Sequence, residues 1–105
     1  IPRADYKLRT EATFLFSAVG IEPEMLTFVD EIDLAALAGK DELLLALVDH
    51  NVLAASQQGL AGSVSGVVDH HQDEGGFAEA RPRIVEPVGS ACTLVAELLL
   101  SNAPA

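Results

Sequence analysis

Tryptophan is absent from this chain, and tyrosine and cysteine occur once each. A single cysteine, Cys92, excludes an internal disulfide and fits a reducing compartment. Basic residues are scarce: 6 Lys and Arg stand against 16 Asp and Glu, a formal net charge of −10. Such a surface excludes long-range attraction to nucleic acid or to an anionic membrane. A phosphorylated ligand would need bound cations, or a local cluster of bases, to reverse that field. No apolar run is long enough to span a bilayer, and no signal peptide, internal repeat or low-complexity tract is present. The expectation is a soluble cytoplasmic protein with no membrane partner. The chain opens on Ile1-Pro2-Arg3 and is read as a segment of a larger protein.

What the chain does hold is hydrophobic material, half of its 105 residues, enough for the core of one small domain. Its distribution alternates between helix-like and strand-like runs. Ala12, Leu15, Phe16 and Val19 follow the i, i+3, i+4, i+7 spacing of an amphipathic helix over 11–19, with Gly20 as its stop. Leu26 to Val29 predicts a short strand, and Asp33 to Ala38 a short helix ended by Gly39. Leu43 to Val48 is apolar without alternation, the pattern of a strand buried on both faces in a parallel sheet. A small, polar stretch over 51–65 is long enough for the crossover that parallel strands need, with a helix expected near 52–58. Strands follow at Ser65 to Val68 and at Ile84-Val85, the latter bounded by Pro82 and Pro87. Ser90 to Ser101 predicts the clearest helix, with Leu94, Val95, Leu98 and Leu99 on one face and Ser90 as N-cap. The fold class expected is α/β, a mostly parallel sheet with flanking helices.

Two of the predicted strands end in an Asp-His step: Asp49-His50-Asn51 and Asp69-His70-His71. In open α/β sheets, ligands bind beyond the carboxyl ends of the strands. Carboxylate with imidazole suits divalent Mn, Fe, Co or Zn. Asp49 is a candidate to bridge two cations; its alternative role is to cap the next helix. His70 and His71 are neighbours, and on an extended chain they would point in opposite directions, so one is expected to ligate metal and the other to face a phosphate or donate a proton. Asp69 is placed to orient a histidine by accepting its second ring N–H. His50 either lines the site or starts a loop. The Gly89-Ser90 turn at a helix start could receive an anion at Ser90, against the simpler reading of an ordinary cap. Arg3, Lys7 and Arg9 cluster near the start and could reach a polyanion, or simply be solvated. Cys92 is expected in the core of its helix rather than as a nucleophile.

These residues resemble a known family. Val68-Asp69-His70-His71 is the motif that names the DHH phosphoesterases, and Val48-Asp49-His50-Asn51 looks like the preceding motif. The stretches 1–11, 30–34 and 86–95 are similar to the prune and exopolyphosphatase branch, in the same order and over nearly the whole chain. The resemblance implies a Rossmann-like DHH domain, incomplete here: 1–105 would be part of one domain, without the family's first motif, a further metal-binding Asp and the second, substrate-clamping domain. It implies metal-dependent hydrolysis of phosphoanhydrides, foremost as an exopolyphosphatase acting on inorganic polyphosphate, short polyphosphates or pyrophosphate. Water activated between two divalent ions, Mn2+ or Mg2+, would be the nucleophile. Asp49 and His70 would be metal ligands. His71, facing the phosphate, would be catalytic; on the reading of the residues alone, Asp69 is a further catalytic candidate, and Arg9 and Ser90 are candidate substrate contacts. A segment with part of the cage is expected to be inactive alone.

Two other readings use the same fold: a prune-like regulatory or scaffold protein whose acidic surface meets a basic protein partner, and a cyclic-nucleotide phosphodiesterase. A nucleic-acid-directed phosphoesterase is disfavoured by the charge.

Overall fold

A computed structural model of the chain describes residues 1–104. They divide into two compact units, the first Ile1–Ala36 and the second starting at Leu37.

In the first unit, helices α1 (Arg3–Tyr6) and α2 (Thr10–Ala18) are followed by a single 3-10 turn at Pro23–Met25. Its centre is a small aromatic cluster: Tyr6 and Phe28 are buried, with ring centroids 5.5 Å apart. The Arg3 guanidinium lies 4.4 Å from the Phe28 ring centroid and forks onto Glu31. The strand expected at Leu26 to Val29 does not form. The Leu26 carbonyl accepts from Arg3, the Phe28 N–H donates to the Glu31 carboxylate, and the Val29 N–H donates to the Ile1 carbonyl. Groups that a sheet ladder would use are taken by side chains and by the chain start. Helix α3 (Leu34–Gly39) begins where Asp33 Oδ1 accepts the Ala36 N–H at 2.9 Å.

The second unit carries a parallel sheet of three strands, β1 (Leu45–Val48), β2 (Val64–Asp69) and β3 (Arg83–Val85), in the order β1-β2-β3. Central β2 is the apolar strand, with Gly66, Val67, Val68 and Asp69 all buried. Val67 joins Leu47, Leu53 and Ala80 in a core flanked by Val64, Phe77 and Val85. Helix α4 (Ala91–Asn102) packs on β2 through its buried face, Ala91 and Leu94, three residues apart. Ser90 is its N-cap, accepting the Cys92 N–H at 3.2 Å. The crossover from β1 to β2 is a 3-10 helix, Ala55–Ser63, later and tighter than the helix expected at 52–58, in a sequence of small residues with Gly59 and Gly62 inside it.

Burial differs from expectation in both helices and strand: Leu15 and Val19 of the expected 11–19 face and Leu99 of α4 are exposed. Strand β1 is covered on one face alone: Leu47 is buried, whereas Ala46 and Val48 are exposed. Cys92 is exposed rather than in the core, because one step around α4 from Ala91 turns it away from the sheet.

Candidate metal centre

Register builds the site. Val48 pairs with Val68 in parallel, so the residues after them, Asp49 and Asp69, stand side by side at the carboxyl edge of the sheet. The Asp49 N–H still donates to the Val68 carbonyl at 3.0 Å, but its φ of 68° takes the chain into the left-handed region and ends β1. Asp is among the few residues that tolerate this conformation.

Asp69 is fully buried, with no solvent exposure, and every side-chain oxygen is used. Its Oδ1 accepts the backbone N–H of His70 (2.8 Å), that of His71 (3.3 Å) and the His71 Nδ1–H (2.7 Å). Its Oδ2 accepts from Asn51 at 2.6 Å. Burial opposes its ionisation, yet the bonds from His71, Asn51 and the two backbone amides outweigh it and hold the carboxyl at about 2. In return the Asp69 carboxylate raises the His71 imidazole above its ordinary value, against partial desolvation.

His70 is set by the other side of the loop. Its Nδ1 lies 2.9 Å from the Val88 carbonyl, which can only accept, so Nδ1 carries the proton. Nε2 is the nitrogen left for the site, and it faces Asp49 Oδ1 at 3.2 Å. That separation suits a positive charge shared by the two groups, either a proton on Nε2, which makes an ion pair, or a metal cation between them. Two ligands bound at right angles, each about 2.1 Å from one metal ion, sit about 3.0 Å apart. The donor set therefore fits a divalent cation. Ligand atoms of Asp49, His70 and His71 all lie within 4.8 Å of one another.

That grouping corrects one expectation. His70 and His71 do not point in opposite directions; their ring centroids are 4.4 Å apart. Alternation holds along a strand, and β2 stops at Asp69, after which the His71 ring folds back onto the Asp69 carboxylate.

Beside these residues opens a cleft of about 430 Å³, lined by Asp49, His50, Asn51, Asp69, His71 and Glu74 among others. His50 lines it, with Nδ1 at 3.0 Å from the Val48 carbonyl. Ser90 belongs to the same unit but is not part of this lining; Val88, two residues earlier, reaches the site through its backbone. Arg9 belongs to the first unit, where it is exposed ahead of α2. Asn51 and the Val88 carbonyl escaped the reading of the sequence. Asn51 carried a signal, its place in the Asp49-His50-Asn51 step; a backbone carbonyl carries none.

The fold and site define a class: a parallel α/β unit with a carboxylate–imidazole cluster, able to hold a cation, at its strand ends. No family model matches the chain. It is similar to Exopolyphosphatase PRUNE1 of Rattus norvegicus, 41% identical over 104 residues, and of Homo sapiens, 40% identical over 104 residues; each match covers 99% of this chain and 23% of the relative. A Schizosaccharomyces pombe protein named "Putative exopolyphosphatase" is 40% identical over 97 residues, 90% of this chain and 25% of its own length. The resemblance to the prune and exopolyphosphatase branch thus extends over nearly the whole chain, and the chain spans about a quarter of the length of the curated relatives it matches.

Proposed function

We propose that this chain supplies one face of a two-cation phosphohydrolase centre, in a protein that releases phosphate from inorganic polyphosphate or short polyphosphates, pyrophosphate included. The observation that carries the reading is the Asp49–His70 pair: a carboxylate oxygen and an imidazole nitrogen at 3.2 Å, with the imidazole's other nitrogen committed to Val88. The names of the similar proteins support the substrate class.

Asp49 and His70 would hold the cation. Bound Mn2+ or Mg2+ would supply activation of water and neutralisation of charge on the phosphoryl oxygens. Asp69, buried and ionised, keeps His71 protonated at Nδ1 and turns its Nε2 to the cleft, where it can donate to a phosphoryl oxygen. Ser90, whose oxygen caps α4, is proposed as a substrate contact through its O–H. The exposed thiol of Cys92 and the absence of disulfides fit a cytoplasmic setting. Among the described residues no helix is long and apolar enough to cross a membrane.

The test is phosphate release by the full-length protein from polyphosphate, pyrophosphate and a cyclic nucleotide, with Mn2+ or Mg2+. Polyphosphate or pyrophosphate is expected to be cleaved, and Asp49→Ala and His70→Ala to lose about 100-fold or more. Activity that survives both substitutions overturns the mechanism; cleavage confined to the cyclic nucleotide moves the protein to the phosphodiesterase reading.

A further inference from the structure

Asn51 is 4% exposed, one of two buried polar side chains among the described residues, and its partner is the other, Asp69. A side-chain amide has two N–H donors and a carbonyl acceptor. Asn51 uses both kinds of group across the cleft. Its Nδ2 donates to Asp69 Oδ2 at 2.6 Å and to the Gln72 carbonyl at 2.9 Å, while its Oδ1 accepts the Glu74 N–H at 3.0 Å. One residue on the loop after β1 therefore fixes both the carboxylate at the end of β2 and the turn beyond it.

We infer that Asn51 is a positioning residue for the reaction proposed above, acting through Asp69 on His71; the inference rests on that phosphohydrolase reading. The geometry is specific. The Asp69 carboxylate has Oδ2 on Asn51, while Oδ1 is shared by the His71 ring and the backbone N–H groups of His70 and His71. Turning the carboxylate about its own axis breaks the bonds at both oxygens together. With Asn51 in place, Oδ1 stays aimed at His71 Nδ1, and the imidazole presents Nε2 to the cleft. Without it, Oδ2 loses its partner and the carboxylate is anchored through Oδ1 alone, by the backbone N–H groups of His70 and His71; it can then swing about that oxygen, and the ring loses its fixed direction. The same amide holds Gln72 and Glu74 in the cleft wall. Residues that hold a site's working groups in this way typically contribute 10–100-fold to activity or cation affinity.

A double-mutant cycle on the full-length protein separates this role from a structural one. Asn51→Ala, and Asn51→Ser in case the alanine variant fails to fold, are compared in the parent and in His71→Ala, with kcat and KM on polyphosphate. If Asn51 works through His71, its substitution lowers kcat by about 10–100-fold in the parent and less than about twofold in His71→Ala. The same factor in both backgrounds overturns the inference. A second readout needs no turnover. In the parent, ring N–H signals of His70 and His71 mark their bonds to Val88 and Asp69; in Asn51→Ser the His71 signal is expected to vanish while that of His70 persists. An unchanged His71 signal contradicts the positioning role. Loss of all activity in the parent with this NMR pattern intact would instead sink the phosphohydrolase reading and leave the positioning geometry standing.

Discussion

Asp49 illustrates how backbone and chemistry meet in one residue. At φ 68° a β-carbon is tolerated best when the side chain is Asp or Asn, so Asp49→Ala changes conformational preference as well as charge. Asp49→Asn keeps that preference and removes the anion, and is the cleaner probe of a ligand role. Asp69 and His71 form the other residue-scale unit. The Asp69 carboxylate raises the His71 pKa, so Asp69→Asn is expected to return the imidazole toward its ordinary value, and proton loss in an NMR titration moves to lower pH. An unshifted titration would contradict the bond between them. Much of this was legible: the Asp-His steps single out Asp49, Asp69, His70 and His71 as candidates, and the fold gathers Asp49, His70 and His71 into one cluster. What the residues did not disclose was the direction of the two rings. That depends on β2 ending at Asp69 and on the Val88 carbonyl arriving from a distant loop.

At the scale of elements, β2, β3 and α4 lie within a residue or two of where apolar runs and punctuation put them. Those elements follow local rules: an apolar run between turns, prolines at either end, a serine cap before an apolar face. The segment 26–29 broke from its pattern because Arg3, remote in sequence, and Glu31, three residues beyond Phe28, occupy its backbone groups. Strand β1 broke from it differently. Its unbroken hydrophobic run gives no alternation to reveal which face is covered, and Ala46 and Val48 are exposed. Two substitutions test the packing. Leu94, 1% exposed on the inner face of α4, is expected to cost about 2–5 kcal/mol as Leu94→Ala in a urea titration. Gly66 sits in central β2, and a methyl group there would meet Pro82 and Ala46 at 3.6–3.7 Å, ordinary contact distances. Gly66→Ala is therefore expected to leave the melting temperature unchanged or slightly raised, since glycine in a strand interior is itself unfavourable by about 0.5–1 kcal/mol. A large fall would mean that the strands approach more closely than described.

For the whole molecule, acid is the informative perturbant. Asp69, and Asp73 forked by Arg83, are both held at about 2, below the ordinary 3.8. A carboxyl depressed on folding contributes stability above its unfolded pKa and loses it as pH falls through the folded one. Structure is thus expected to weaken between about pH 4 and pH 2, followed by circular dichroism, and Asp73→Asn to flatten that dependence. The net charge of −10 bears on the proposed function: an anionic substrate would meet a repelling surface, and cations at the Asp49–His70 corner would reverse the sign locally. The most direct measurement of that central claim is Mn2+ binding, by the electron paramagnetic resonance of free Mn2+, to the full-length protein and to its Asp49→Asn and His70→Ala variants. The account predicts at least about a tenfold loss of affinity in each variant. Binding by both variants as tight as by the parent would contradict it.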